Sequence, residues 1–218
     1  DKPNIFFVEQ YIYPEGWSGA QISRDIINYL NDKGIKVNVV CGTTFYQKPH
    51  VSDTNQFLNN EVNLIKLNTF KSNKSTIKNF LNQILFSLKA NCRIFFIKEK
   101  VNCLIIQTNP PLFLISAAII SYFKRIPLVV IAMDIYPEHI FASINSNYFK
   151  KTFQKIISFF FNFSYRKAAG IISLGNSSTQ RLLKKGIIKE KIYEINNWAT
   201  GPIKAISKKQ NILYKKWN

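Results

Sequence analysis

Short apolar runs alternate along the chain with longer segments in which apolar residues recur every three or four positions. Most of the runs are solidly apolar, which is typical of strands covered on both faces of a parallel sheet. They predict seven strands, at 4–8, 36–42, 62–67, 103–107, 126–133, 170–174 and 191–195. The segments between them predict five helices, at 19–33, 75–100, 111–124, 148–168 and 177–185.

This alternation of strand and helix predicts an α/β fold. We expect a Rossmann-like, doubly wound, mostly parallel sheet of about seven strands with helices on both faces. Gly34 predicts the end of the first helix. Ligands of such sheets bind outside the carboxyl ends of the strands, near a switch point in strand order. Residues that directly follow the strands are therefore the candidates for chemistry.

A carboxylate directly follows one apolar run, in the stretch VVIAMDIYPEHI (129–140). Asp134 ends the run, and Glu138 comes four residues later. A parallel sheet would place Asp134 at the rim where ligands bind. The alternative is structural, because Asp before a proline-containing turn commonly caps that turn.

Small residues open the helix that follows the first strand. Gly19 and Ala20 would leave backbone N–H groups and the positive end of the helix dipole facing the crevice, which suits a phosphate. The alternative is a capped helix with small residues that pack closely. The connection is not GxGxxG, and no GxxxxGK[ST] occurs, which disfavours a dinucleotide site and excludes a P-loop. Asn109, in TNPPLF, follows the fourth predicted strand in the same way.

The net charge of the chain indicates an anionic partner. The 218 residues carry a formal net charge of +18, almost all of it from lysine. Such a surface suggests nucleic acid, an anionic membrane or a phosphorylated ligand. The predicted helix YFKKTFQKIISFFFNFSYRK (148–167) mixes Lys with Phe. It favours either a membrane surface or a helix whose Phe side chains pack on the sheet. No RNP1-like signature occurs, so nucleic acid is not the expected partner.

Cysteine and histidine indicate no metal site. Cys41 and Cys103 lie in or beside apolar runs and are predicted to be reduced core residues. The two histidines have no metal-ligand spacing and no neighbouring nucleophile, so we expect no metal and no cofactor. No apolar stretch reaches the ~18–20 residues of a membrane span. The opening DKPNIFFVEQ lacks the pattern of a signal peptide, so we expect a cytoplasmic location.

Four phrases give the chain a family resemblance. It resembles the N-terminal domain of family-4 glycosyltransferases of the GT-B fold, in particular bacterial polysaccharide and O-antigen enzymes. The phrases are YIYPEGWSGAQISRDIINYLNDKGIKVNVVCG (11–42), TNPPLFLISA (108–117), RIPLVVIAMDIYPE (125–138) and IISLGNSSTQRLLKKGIIKEKIYEINNWA (171–199). Met133 stands where members of the family often have Arg, His or Gln.

The resemblance implies half of an enzyme. Residues 1–198 would form a Rossmann-like acceptor-binding domain, and 199–218 a linker toward a donor-binding domain outside this chain. The whole would be a retaining transferase that moves a sugar from a nucleotide-sugar, its co-substrate, to a lipid-linked or other saccharide acceptor in surface polysaccharide synthesis. This half alone is expected to be inactive, and to lie in the cytoplasm or peripherally on the inner face of the cell membrane.

The resemblance also implies roles for particular residues. Gly19 and Ala20 would approach the donor's phosphate or sugar, and Asp134 would lie beside the reaction centre. Four further residues would shape the cleft: Arg24, Asn109, Glu138 and Asn197. The alternative function is a non-catalytic basic Rossmann-like module that binds nucleic acid or another polyanion.

Overall fold

The computed structural model describes residues 2–14, 18–43, 58–59, 61–70, 76–138 and 148–199. These ranges contain seven strands: β1 Asn4–Val8, β2 Lys36–Gly42, β3 Asn63–Leu67, β4 Cys103–Gln107, β5 Leu128–Ala132, β6 Gly170–Ser173 and β7 Ile192–Glu194. They also contain five α-helices: α1 Ser18–Asp32, α2 Thr76–Phe95, α3 Pro111–Lys124, α4 Tyr148–Lys167 and α5 Asn176–Lys184. A short 3-10 turn, Lys189–Lys191, leads into β7.

The seven strands form one sheet in the order β3-β2-β1-β4-β5-β6-β7, and every neighbouring pair is parallel. In register, Phe7 of β1 lies between Val39 of β2 and Ile105 of β4. The chain first builds the sheet outward from β1 to β3 and then returns to add β4 on the other side of β1. The switch point in strand order therefore lies between β1 and β4.

Helices cover both faces of this sheet. Successive side chains of a strand point to opposite faces, so β1 contributes to two separate cores. Ile5 and Phe7 pack with Ile27 of α1 on one face. Phe6 and Val8 belong to the core on the other face. That second core takes side chains from the remaining four helices: Phe86, Phe113, Phe161 and Leu182. The predicted fold class is confirmed, and the sheet is parallel throughout.

The element boundaries agree with prediction except at the end of α2. The helix predicted to reach residue 100 ends at Phe95. Lys124 of α3 donates from Nζ to the carbonyl oxygens of Phe95 (3.0 Å) and Ile97 (3.1 Å), so a distant side chain satisfies the last carbonyls. At α1 the predicted stop is confirmed, because Gly34 takes the left-handed conformation, with φ 79°.

The cysteines agree in part with their predicted core positions. Cys41 is buried, and burial raises the pKa of its thiol to about 12. Cys103 is half-buried and packs against the core on the α1 face. Among the described helices, none combines the length and apolar character needed to cross a membrane. The predicted linker, 199–218, lies outside the described residues apart from Ala199.

Candidate functional site

The carboxyl ends of all seven strands meet at one rim of the sheet, because the strands are parallel. Three of the predicted site residues lie in the connections that follow these ends. Gly19 lies in the first turn of α1, after β1, and Asn109 and Asp134 follow β4 and β5. Ala20, beside Gly19, is fully buried. The structure therefore places Gly19 and Asp134 on the same rim, on either side of the switch point.

Side chains at the switch point tie the start of α1 to the end of β4. Gln107, the last residue of β4, donates from Nε2 to the carbonyl oxygen of Gly19 (3.3 Å) and to Oγ of Ser23 (2.5 Å). Both Gln107 and Ser23 are fully buried. The first turn of α1 is thus held over the sheet by a polar anchor.

The same place concentrates buried polar atoms that have no partner. Of seven such side-chain atoms in the described residues, five belong to Glu9, Gln10 and Gln107. Burial raises the pKa of the Glu9 carboxyl to about 8, and the nearby Ser23 hydroxyl offsets only part of this rise. Neither carboxyl oxygen of Glu9 has a partner at hydrogen-bond distance and angle. Unpartnered buried polar groups are uncommon in folded proteins. Their concentration beside Gly19 makes the switch point a candidate ligand contact.

Sequence reasoning missed these three residues. Glu9 and Gln10 were placed in a loop, and Gln107 was counted only as part of a strand. The available signal was position, because each is among the first polar residues after a solid apolar run, NIFFV or CLII. That signal applied to Glu9 as directly as to Asp134.

Asp134 is held in place through its backbone. Its N–H donates to Oγ1 of Thr108, which follows β4, at 3.0 Å. Its carbonyl oxygen accepts from the hydroxyl of Tyr165 in α4 at 3.5 Å. The side chain is half-buried, and no hydrogen bond from the described residues reaches its carboxylate. Among the described residues the carboxylate therefore has no hydrogen-bond partner, and it is not sealed in the core.

Tyr165 and Tyr136 form the wall behind Asp134. The hydroxyl of Tyr165 also accepts from the N–H of Tyr136, at 3.2 Å. Burial raises the pKa of both phenols, to about 12 for Tyr136. The ring of Tyr136 stacks on Phe161 with centroids 5.7 Å apart. Neutral, packed tyrosines thus fix the loop after β5 against α4.

An open cleft of about 690 Å³ lies between the loop after β5, α4 and α5. Asp134 and Glu138 both line it. Glu138 accepts from Nζ of Lys185 at 2.5 Å, and Lys185 also donates to Oδ1 of Asn162 at 3.1 Å. The Lys185 side chain is only 6% exposed, whereas that of Glu138 is 55% exposed. Glu138 therefore lies in the same cleft as Asp134, with its charge paired.

Arg24 and Asn197 lie toward the α1 side of the sheet. Arg24 of α1 forms an ion pair with Asp25 (2.6 Å), and its guanidinium stacks on the ring of Tyr13 at 4.6 Å. Trp198 donates from Nε1 to the same Asp25 at 3.1 Å. Asn197 is exposed beside Trp198. Arg24 and the 195–199 segment are therefore joined through Asp25 on the α1 side, and they do not line the cleft that contains Asp134.

Three further points concern metal ligands, Asn109 and Met133. Within the ranges that the structure covers, no group of three or more His, Cys, Asp or Glu side chains could hold a metal ion. Asn109 is half-buried and joins Pro110 through a cis peptide bond at the start of α3. Met133 packs against the core on the α1 face. It presents no polar group beside Asp134.

Solved structures share this fold. Anabaena HepE in complex with UDP and glucose is 17% identical, with a TM-score of 0.52 over 88% of this chain and 44% of that one. TcCGT1 in complex with UDP is 13% identical, with a TM-score of 0.58 over 100% and 55%. A UDP-N-acetylglucosamine 2-epimerase is 12% identical, with a TM-score of 0.55 over 89% and 48%. No family model matches the chain, and no curated protein matches it.

These likenesses define the fold class. The chain spans about half the length of the solved structures it matches. Its parallel seven-stranded sheet with helices on both faces corresponds to one Rossmann-like half of a GT-B fold. At such low identity the likeness shows the fold alone.

Proposed function

We propose that this chain is the acceptor-binding half of a retaining glycosyltransferase. A nucleotide-sugar supplies the sugar, and a saccharide acceptor, lipid-linked in surface polysaccharide synthesis, receives it. Gly19 and Ala20 face the donor's phosphate or sugar across the switch point, and Asp134 lies beside the acceptor. Residues after 199 lead toward a second domain that holds the nucleotide.

One observation carries this proposal: Asp134 lines an open cleft on the rim that also carries Gly19, and its carboxylate has no partner among the residues that the structure describes. A carboxylate there can orient an acceptor hydroxyl, or stabilise positive charge that develops on the sugar during transfer. The solved structures that share the fold add support, because HepE and TcCGT1 were crystallised with UDP.

The test is turnover by the full-length gene product. Purified protein is incubated with a panel of UDP-sugars, with and without saccharide acceptors, and UDP release and product mass are measured. We expect acceptor-dependent UDP release, and none from the 218-residue chain alone. Conversion of the donor sugar into its 2-epimer without acceptor would instead indicate an epimerase, a class that shares the fold. Either that result or turnover by the chain alone would contradict the proposal.

Exposed aromatic side chains on α2, α3 and α4 support a membrane location. Phe161 and Tyr165 of α4 pack in the core, as one reading of the sequence predicted. Other side chains of the same helices remain exposed to solvent: Phe95, Phe96, Tyr122, Phe123, Phe153, Phe159, Phe160 and Phe163. We call these eight residues the aromatic face. Neighbouring rings of the aromatic face contact each other, as in the pairs Phe95–Phe96, Tyr122–Phe123 and Phe159–Phe163. Monomeric soluble proteins rarely expose large contiguous apolar patches.

Charge on the same helices favours an anionic bilayer as the occupant. Together α2, α3 and α4 contain nine Lys and Arg residues and no Asp or Glu. Lys124 lies over the ring of Phe95 at 5.9 Å, and Lys167 lies over Tyr122 at 5.2 Å. Lysines around exposed aromatic rings match a surface that is apolar beneath and anionic at its headgroups.

Liposome co-sedimentation tests the membrane proposal. We expect binding to vesicles that contain anionic lipid and loss of binding as salt is raised. Phe123→Ser/Phe159→Ser should abolish binding, whereas the matched control Tyr29→Ser/Phe70→Ser removes two exposed aromatics outside the aromatic face and should bind normally. Absence of binding at low salt would contradict the proposal. Stronger binding to DNA or RNA than to vesicles would favour the nucleic-acid module.

A further inference from the structure

The cleft that contains Asp134 has an uneven distribution of charge. Asp134 comes from the loop after β5, whereas Arg181 and Lys184 line the cleft from α5. The acid Glu138 is already paired with Lys185 and does not neutralise them. One wall of the cleft therefore offers a free carboxylate, and another offers two free cations.

The donors on the α5 wall are not used by the protein. The side chains of Arg181 and Lys184 form no hydrogen bond or ion pair with the residues that the structure describes. The same holds for the hydroxyls of Ser158 and Ser178, which also line the cleft. Ser178, Arg181 and Lys184 follow one another at intervals of three, so they lie on neighbouring positions of one face of α5.

The start of α5 adds a further attraction for an anion. Gly175 precedes the helix and provides no capping side chain. The first N–H groups of a helix have no partner within it, and the helix dipole makes this end positive. Ser178 belongs to that first turn and lines the cleft. Helix amides, hydroxyls and an arginine together are the donor set that binds phosphate groups.

We infer that this cleft binds a sugar phosphate or sugar diphosphate. The phosphate lies against Arg181, Lys184 and Ser178, and the sugar hydroxyls point toward Asp134. A volume of about 690 Å³ accommodates a ligand of that size. The anion site rests on the cleft itself. Its assignment to the acceptor of the transfer reaction rests on the proposed function, and explains how a lipid-linked diphosphate saccharide would be aligned.

Binding measurements test the anion site without catalysis. Isothermal titration of the full-length protein uses inorganic pyrophosphate, N-acetylglucosamine 1-phosphate and N-acetylglucosamine as probes. We expect both phosphates to bind more tightly than the neutral sugar. Arg181→Ala/Lys184→Ala should weaken phosphate binding by ~10-fold or more, because charge-assisted hydrogen bonds are lost. Equal affinity of the double variant and the unchanged protein would overturn the inference.

Matched variants separate a site from general charge attraction. Lys98→Ala/Lys189→Ala removes the same formal charge from two exposed lysines that do not line the cleft, and should leave phosphate affinity unchanged. Arg181→Lys keeps the charge but loses the planar pair of donors, so its affinity should fall between the two extremes. An equal loss of phosphate affinity in Lys98→Ala/Lys189→Ala would show that phosphate is attracted by net charge and not by a specific site.

Kinetics of the full-length protein separate this inference from the proposed function. With a diphosphate-linked acceptor, Arg181→Ala/Lys184→Ala should raise KM for the acceptor and leave KM for the nucleotide-sugar unchanged. A matched acceptor that lacks the diphosphate should respond little to the substitution. A selective rise in KM for the nucleotide-sugar would overturn the acceptor assignment. If the unchanged protein shows no turnover but binds pyrophosphate, and Arg181→Ala/Lys184→Ala loses that binding, the anion site is retained and the proposed function is rejected.

Discussion

The two rims of the sheet treat their polar side chains in opposite ways. At the amino rim, Asn38 of β2 donates to Oδ1 of Asn4 (2.7 Å) and accepts from Nδ2 of Asn63 (2.8 Å). Asn4 also donates to the carbonyl oxygen of Lys100 (2.9 Å), and its N–H is bound by Asn102 (2.8 Å). At the carboxyl rim, buried side chains of Glu9, Gln10 and Gln107 retain unpaired atoms. The asparagine side chains of the amino rim bond to one another in a ladder, whereas the carboxyl rim keeps buried donors and acceptors without partners.

This difference shows where the sheet is stabilised and where it is available for ligands. A completed ladder across β3, β2, β1 and β4 stabilises the strands at their beginnings, since its amides satisfy one another. Unpartnered polar groups reduce stability and remain only where something else selects for them. Substitutions at the amino rim should therefore act on folding, and substitutions at the carboxyl rim should act on function. Four experiments, in order of decreasing expected effect, test this division.

The largest effect is expected at Asp134. In the full-length protein, Asp134→Asn should lower turnover ~10²–10³-fold, the usual loss when one preorganised electrostatic group is removed from a reaction centre. The fold should be kept, because the contacts that hold this residue are made by its backbone. UDP-release rates and a thermal melt measure the two properties. Glu99→Gln, the same chemical change at the amino rim, should leave turnover unchanged. Equal turnover of Asp134→Asn and the unchanged protein would remove Asp134 from the reaction.

The next effect concerns the ladder at the amino rim. Asn38→Ala should lower the free energy of unfolding by ~1–3 kcal/mol, because it leaves the amide oxygen of the buried Asn4 without its partner. Urea denaturation measures the change. Asn197→Ala, at an exposed asparagine outside the ladder, is the control and should have no effect. A stability equal to that of the control would show that the ladder contributes nothing.

Substitution of Glu9 should change stability in the opposite direction to Asn38→Ala. Its carboxyl keeps a proton up to about pH 8 in the folded protein but only to its ordinary value of 4.5 when unfolded. The folded state therefore binds more protons between these values, so stability falls as pH rises through that window. Glu9→Gln removes this dependence and should raise the free energy of unfolding at pH 8, relative to pH 5, by roughly 3 kcal/mol or less.

Urea denaturation at several pH values measures the Glu9 effect. The unchanged protein is the reference, and Asn38→Ala should keep the same pH dependence at lower overall stability. A pH profile of Glu9→Gln that parallels the reference would contradict the assignment of the buried proton to Glu9.

The smallest effect is expected from an ion pair at the amino rim. Nζ of Lys36 lies 2.8 Å from Oε2 of Glu99, and this contact lowers the pKa of the Glu99 carboxyl. Both side chains are about half exposed or more, at 48% and 65%, so solvent screens the attraction. Glu99→Gln should leave the melting temperature unchanged within error at neutral pH. A clear fall in melting temperature would show that the ion pair, as well as the asparagine hydrogen bonds, stabilises the amino rim.

Much of this organisation could be predicted from local pattern. The short apolar or alternating runs identified every strand of the described sheet, and the position of Asp134 after VVIAM placed it at the carboxyl rim. A buried strand must be apolar on both faces, so its end is marked by the first polar residue. Asn109 was identified by its similar position after the fourth strand, whereas Gly19 was selected as a small residue at the start of a helix. The rule was not applied to Glu9, although the signal was equally direct.

Local pattern could not predict which side chains would meet. The cleft joins Asp134 to Arg181, a residue that was not selected because nothing near it in sequence marks a site. Arg24 and Trp198 are distant in sequence, yet both contact Asp25. Local pattern also did not predict that the backbones at Gly42 and Gln10 approach closely. A Cβ at Gly42 would lie 2.9 Å from the carbonyl oxygen of Gln10.

The amino-acid sequence by itself determined the strands, the helices, the parallel sheet and the rim on which chemistry can occur. These depend on hydrophobic periodicity and on the short-range rule that parallel strands end at one edge. Only the tertiary structure decided that Asn4, Asn38 and Asn63 satisfy one another while Glu9 and Gln107 keep unpaired atoms. Hydrogen bonds and pKa shifts depend on which distant side chains are packed together, and strand order sets that packing.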